Sequence, residues 1–244
     1  MKKEQVYDIL NKAYFSEEMH ERETIEHLPH LLQGATLFVD IGASLGQYTY
    51  YANEHMQGGT IVAIEPDPIR FEELQENCQE WELQSDNRLL ALNCAVSNVD
   101  GQITFYTTDS NVSGGLFPHD VTRAALEDSG IGTVQWRAIT VDCATLDTLF
   151  KDQSPDLAKI DVEGAELRVL HGATRILKEG KTRFLVELHG NWTDPHGQKD
   201  ANEVAELMAS CGYCPTPFHG RTLFAKRGWL ALRLLRLKDR LRRA

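Results

Sequence analysis

The stretch Thr36-Leu37-Phe38-Val39-Asp40-Ile41-Gly42-Ala43-Ser44-Leu45-Gly46 decides the fold. Its first half is an apolar run without polar alternation, the form taken by a parallel strand buried on both faces. The run ends at an acidic residue, followed by two glycines four positions apart. Glycines at a strand-to-helix turn let the backbone approach a neighbour or a ligand with no Cβ in the way. A helix is expected over residues 47–56, stopped by Gly58-Gly59.

Working outward, the pattern repeats. Residues 60–66 (TIVAIEP) read as a second strand and 69–81 as an amphipathic helix, with a third strand over 89–96 (LLALNCAV). Residues 101–108 (GQITFYTT) alternate like an exposed antiparallel strand after the turn at Asp100-Gly101. Strand character resumes at 137–142. Residues 156–164 (DLAKIDVEG) form the next buried strand, 165–177 its helix and 182–189 (TRFLVELH) the following strand. A helix over 201–212 and a strand over 221–227 complete the series. Alternating strands and helices imply right-handed parallel βαβ units, hence an α/β, Rossmann-like, doubly wound, mostly parallel sheet with helices on both faces. Residues 1–35 read as a helical lead-in broken at Pro29, 36–226 as the main domain, and 227–244 as a basic amphipathic C-terminal helix.

Composition narrows the class. The chain has 244 residues, 42% hydrophobic content and a net charge of −11. Residues 226–244 carry eight cations against the single anion Asp239, a net +7, which leaves −18 on the remainder. An acidic body repels phosphate backbones, so a nucleic-acid partner is not expected. Five scattered cysteines suggest no disulfide framework and point to a reducing cytosol. Cys211-Gly212-Tyr213-Cys214 lacks a second pair to complete a zinc site, and Gly212 reads as a helix C-cap. The tail sets Leu230, Leu234, Leu237 and Leu241 on one helical face and arginines on another. It can rest peripherally on an anionic membrane surface or dock on protein.

In doubly wound sheets, ligands bind beyond the carboxyl ends of the strands. The first strand ends in Asp40, Gly42, Ser44 and Gly46, and the second ends in Glu65, nineteen residues after Gly46. A carboxylate at that distance accepts from both hydroxyls of a ribose. A dinucleotide site wants G-x-G-x-x-G, yet Ser44 and Gln47 stand where the later glycines belong. The D-x-G-x-x-x-G form suits a nucleoside cofactor without a pyrophosphate, and S-adenosyl-L-methionine is one. Asp40 can meet its ammonium group directly or through water, while Asn93, Ala95 and Ser97 stand where an adenine edge is read. The plainer alternative is a tight turn at Gly42–Gly46 and a solvated strand end at Glu65.

The run KIDVEGAELRVLHGATRIL (159–177), with FLVELHG (184–190), resembles the signature of the FkbM family of methyltransferases. VDIGASLGQYT, AIEPDP and NCAVSNVDGQITFY fit the same pattern in the same order, over roughly residues 36–190. The resemblance implies an S-adenosyl-L-methionine-dependent methyltransferase acting on hydroxyl groups of sugars, glycolipids or secondary metabolites.

An alcohol acceptor needs a general base or a divalent metal near the methyl group. Asp161, Glu187 and His189, at two neighbouring strand ends, are the candidates. In one arrangement Asp161 lies beside the methyl group and His189 or Glu187 takes the proton. In the other, the same three residues hold a divalent ion such as Mg²⁺. Glu163 and Glu166 open a helix, where carboxylates complement the dipole, and Glu166 is read in that way. Residues 109–135, with Asn111, Ser113, Gly114, Gly115 and His119, are expected to shape the acceptor pocket, with His196 in a loop that can cover it. Two other functions stay open: a nucleotide-dependent oxidoreductase, and a module that binds the cofactor without transferring methyl groups.

Overall fold

The computed structural model describes residues 20–108, 115, 136–189 and 197–226. The other residues of the 109–135 segment, His196 and the 227–244 helix lie outside the described residues. So does the lead-in before His20.

The elements are α1 (His20–Leu32), β1 (Leu37–Ile41), α2 (Gln47–His55), β2 (Thr60–Ile64), α3 (Pro68–Glu82), β3 (Arg88–Leu92), β4 (Ala95–Val96), β5 (Gly101–Thr108) and β6 (Trp136–Ala144). They continue with α4 (Leu146–Leu149), β7 (Leu157–Ile160), α5 (Glu166–His171), α6 (Thr174–Glu179), β8 (Arg183–Val186), α7 (Gly197–Ser210), β9 (Tyr213–Phe218) and β10 (Arg221–Lys226). Among the described residues the main sheet has seven strands, in the order β3-β2-β1-β7-β8-β10-β9. β10 runs antiparallel to both its neighbours, whereas β3, β2, β1, β7 and β8 pair in parallel. The order reverses between β1 and β7, which places the switch-point crevice at their carboxyl ends.

Side chains alternate between the faces along each strand. Phe38, Ile61, Leu157 and Leu185 pack beneath Ile25, Leu28 and Leu31 of α1, Tyr48 of α2, and Leu74 and Trp81 of α3. Val39, Val62, Ile160 and Phe184 pack against Val169, Ile176, Leu177, Val204 and Met208 on the other face. With both faces covered, β1, β7 and β8 are buried along their whole length.

Several local expectations change. α1 runs through Pro29 rather than breaking there. Proline removes one helical hydrogen bond, but the buried face formed by Ile25, Leu28, Leu31 and Leu32 keeps the helix docked. The expected strand over 89–96 splits: β3 stays in the main sheet, while β4 joins a three-stranded sheet ordered β4-β6-β5. The hinge is Asn93, whose amide donates to the carbonyls of Glu65 (2.8 Å) and Pro66 (3.2 Å). The helix expected over 165–177 breaks at Gly172, where a Cβ would lie 2.1 Å from the carbonyl oxygen of Ser97. The strand expected to reach His189 ends at Val186, leaving Glu187–His189 as a loop. β9 was not foreseen because Pro215 and Pro217 obscure it. Both are tolerated because β9 is the edge strand and the two sit two residues apart, on one side of it. No helix among the described residues is long and apolar enough to cross a membrane.

Candidate active site

The loop leaving β1 is fixed by its glycines. Gly42 has φ +74°, and a Cβ there would lie 1.8 Å from the carbonyl oxygen of Asp161, so the loops after β1 and β7 are in direct contact. Gly46 opens α2 at φ +93°, with Leu74 and Trp81 of α3 where its Cβ would be. Between them, Ser44 adopts φ +50°. Its N–H donates to Glu65 Oε2 at 2.8 Å, which ties this loop to the end of β2.

Glu65 is nearly buried (4% exposed). Its other oxygen accepts from the N–H of Asp67 at 2.9 Å. Burial pushes its pKa up, against the pull of these two N–H groups and of the Arg70 charge. Asp67 in turn caps α3 through the N–H of Ile69 and accepts from the hydroxyl of Thr107 on β5. Asn93 braces the backbone of Glu65, as above. Ala95 turns its methyl into the small sheet beside Phe105, Val141 and Cys143, so only its backbone can face a ligand. Ser97 is likewise buried. This donor set fits a nucleoside cofactor without phosphates: a carboxylate with lone pairs to spare lies beside a glycine turn, and residues 42–46 contain no cation.

Asp40 lies beneath the loop rather than on it. It is fully buried, and its Oδ2 accepts from the N–H (3.1 Å) and hydroxyl (2.9 Å) of Thr49. Its Oδ1 meets Lys159 Nζ at 3.2 Å. Lys159 also donates to the carbonyl oxygen of Gly42 at 3.0 Å and stands 3.4 Å from Asp161 Oδ2. Asp40 is therefore a carboxylate already held by protein donors. Sequence reasoning missed Lys159. Its signal is a cation inside the otherwise apolar run Leu157–Ile160, which must find a partner to be buried.

Asp161, Glu187 and His189 do come together. Asp161 hangs from Ile41 and Glu187 from Ile160 by backbone hydrogen bonds of 3.1 and 2.9 Å. One ligand-capable atom from each of the three lies within 4.8 Å of the other two. His189 Nε2 is 3.8 Å from Asp161 Oδ1, 3.6 Å from Glu163 Oε2 and 3.9 Å from Glu187 Oε1. Its Nδ1 is 2.9 Å from Glu166 Oε1. Glu166 is thus more than a helix-opening carboxylate: it is buried, accepts from the N–H of Gly164 (3.0 Å) and orients the imidazole. Arg221 of β10 was also missed. It pairs with Glu187 Oε2 and lies 3.7 Å from Asp161 Oδ2. Tyr48 lies under both cations, its ring centre 5.0 Å from Lys159 Nζ and 5.3 Å from the Arg221 guanidinium.

These contacts set the protonation states. Burial disfavours a charged His189, but the hydrogen bond and charge of Glu166, with Asp161 and Glu163, raise its pKa to about 9. Burial, and then the Asp161 charge, lift Glu187 to about 7 against Arg221, His189 and Lys159. Asp161 stays below the usual carboxylate range: burial opposes ionisation, but Lys159, His189 and Arg221 outweigh it. Glu163 is raised, mainly by burial and by Asp161.

Similar proteins agree with this frame. The hexuronic acid methyltransferase AglP of Haloferax volcanii is 24% identical over 173 residues, covering 70% of this chain and 60% of that protein. The 31-O-demethyl-FK506 methyltransferase FkbM of Streptomyces tacrolimicus is 27% identical over 184 residues, covering 67% of each. The chain spans about three fifths to two thirds of the length of the curated relatives it matches. The crystal structure of a methyltransferase FkbM from Methylobacillus flagellatus shares the fold, with a TM-score of 0.53 and 20% identity, covering 78% of this chain and 43% of that one. The family model for the methyltransferase FkbM domain matches residues 40–214. The glycine turn, the carboxylate at the end of β2 and the cluster after β7 all fall within that match, and the chain belongs to the FkbM methyltransferase family.

Proposed function

We propose that this chain transfers a methyl group from S-adenosyl-L-methionine to a hydroxyl oxygen of a sugar or another small metabolite. The observation that carries this reading is the contact between Gly42 and Asp161, which joins the ribose-type half of the crevice to the carboxylate–histidine cluster. The acceptor class follows the two relatives, one a hexuronic acid methyltransferase and one a 31-O-demethyl-FK506 methyltransferase.

The cofactor supplies a methyl group already activated on a sulfonium. The protein's task is alignment and proton management. Glu65, held by the N–H groups of Ser44 and Asp67, offers its free lone pairs to the ribose hydroxyls. Gly42 lets the loop after β1 lie directly against Asp161, which sets that ionised carboxylate beside the crevice, toward the cationic end of the cofactor. An alcohol becomes a good nucleophile only as its proton leaves. Glu187, with a pKa of about 7, is matched to accept that proton near neutral pH. His189 holds its own proton up to about pH 9, so in this state it acts as a cation beside the carboxylates rather than as the base. The same side chains also form a ligand set for a divalent cation.

Calorimetric titration with S-adenosylhomocysteine tests the reading. Micromolar binding by the intact chain, lost in Glu65→Ala, is the expected result. A folded wild-type protein that does not bind would overturn the methyltransferase reading and return the oxidoreductase to consideration.

A further inference from the structure

We infer that Asp161, Glu187 and His189 form a binding site for a divalent first-row metal ion, with Glu163 at its rim beside His189 and with Glu166, Lys159 and Arg221 holding the ligands in place. His189 Nε2 stands nearly equidistant, at 3.6–3.9 Å, from one oxygen each of Glu163, Asp161 and Glu187. An N–H aimed at carboxylates settles on one of them at about 2.7–2.9 Å. Here Nε2 makes no hydrogen bond to a described residue. Donors sharing one ion at about 2.0–2.2 Å from each lie roughly 3–3.6 Å apart, close to the spacing observed.

The outward atoms are already engaged. His189 Nδ1 is bound to Glu166, which is itself fixed by the N–H of Gly164. The second oxygen of Asp161 faces Lys159 and Arg221, and the second oxygen of Glu187 is on Arg221. Thus Oδ1 of Asp161 and Oε1 of Glu187 are left facing Nε2. A histidine whose far nitrogen is held by a carboxylate, beside carboxylates oriented by fixed partners, is the usual outer shell of a metal site. The charge agrees: Asp40, Asp161, Glu163, Glu166 and Glu187 bring five carboxylates to the network, against the cations Lys159 and Arg221 and the one proton on His189, which a bound ion would displace. One imidazole among oxygens favours Mn²⁺, Fe²⁺, Co²⁺ or Zn²⁺ over Mg²⁺ or Ca²⁺, which prefer oxygen ligands alone.

An acceptor hydroxyl taking an open position on such an ion would lose its proton more readily. That use of the ion rests on the methyltransferase reading; binding of the ion does not. The test uses the full, tag-free chain stripped with EDTA and titrated with Mn²⁺, with free Mn²⁺ read by electron paramagnetic resonance. One site per chain is expected, lost in His189→Gln and in Glu187→Gln and weakened about 10–100-fold in Glu166→Gln. Glu163→Gln alters a half-exposed side chain, so the test stands even if the buried variants fail to fold, and it too should weaken binding. A folded wild-type protein that takes up no Mn²⁺ would overturn the proposal. Binding unchanged across folded variants would do the same by placing the ion elsewhere. Titration of the metal-free protein with S-adenosylhomocysteine tests the cofactor reading separately.

Discussion

Asp40 and Lys159 are register partners on adjacent strands β1 and β7, and their charged groups meet 3.2 Å apart with almost no exposure to solvent. Removing one member of such a pair strands the other charge, at a cost of about 3–5 kcal/mol. Lys159→Met should therefore lower stability by that order in denaturant unfolding. The double variant Asp40→Leu/Lys159→Met should cost clearly less than the sum of the two singles. Additive losses would mean that the two groups are not coupled.

Gly42→Ala combines two penalties. A left-handed backbone costs alanine about 1–2 kcal/mol, and the added Cβ would meet the Asp161 carbonyl at 1.8 Å. Gly58 makes a fair control, since its φ is +66° but nothing lies within 4 Å of its Cβ position. Gly42→Ala should melt roughly 5 °C or more below wild type and lose S-adenosylhomocysteine affinity. Gly58→Ala should show a smaller shift and keep that affinity. Equal behaviour of the two would remove the loop contact from the argument.

Asp67→Ala should act at a distance from the crevice. It deletes the cap of α3 and leaves the buried Thr107 hydroxyl without its acceptor. The expected loss is about 1–3 kcal/mol of stability. The N–H of Asp67 still faces Glu65, but its turn is no longer held, so S-adenosylhomocysteine should also bind more weakly in calorimetry. Intact affinity would assign Asp67 to stability alone.

The pH dependence of the metal-free protein should carry a signature of His189. Its folded-state pKa of about 9 lies above the ordinary 6.5, so the folded protein holds this proton more tightly than the unfolded chain. The stabilisation is complete below pH 6.5 and is lost as pH rises through about 9. The melting temperature of EDTA-stripped protein should fall across that window, and His189→Gln should flatten the fall. Parallel curves for the two proteins would contradict the assignment.

What was legible in the sequence was mostly local. The apolar run into Gly42 marked β1, and the spacing to Glu65 marked the end of β2. Asp161, Glu187 and His189 could be grouped because each follows a strand whose ends must be neighbours in a parallel sheet. Lys159, Arg221 and Glu166 were not legible in their roles. Lys159 matters because register sets it opposite Asp40, and register is not written in either strand alone. Arg221 reaches the cluster because β10 inserts between β8 and β9, a long-range pairing with no local signal. Glu166 looked like a helix-opening carboxylate, and only the end of β8 at Val186 brings His189 over it. The split at Asn93 was hidden because LLALNCAV keeps one apolar character across two different sheets.

The position of β10 also bears on how the molecule is made. It follows β8 and β9 in the chain yet lies between them, so on the ribosome the edge of β8 must wait, unpaired, for residues 221–226. An open edge of this kind is a liability while synthesis continues. Arg221 arrives on that same last strand. The guanidinium that pairs with Glu187 and the closure of the sheet therefore come in a single late step, and in a nascent chain Glu187 lacks this partner until the open edge is sealed.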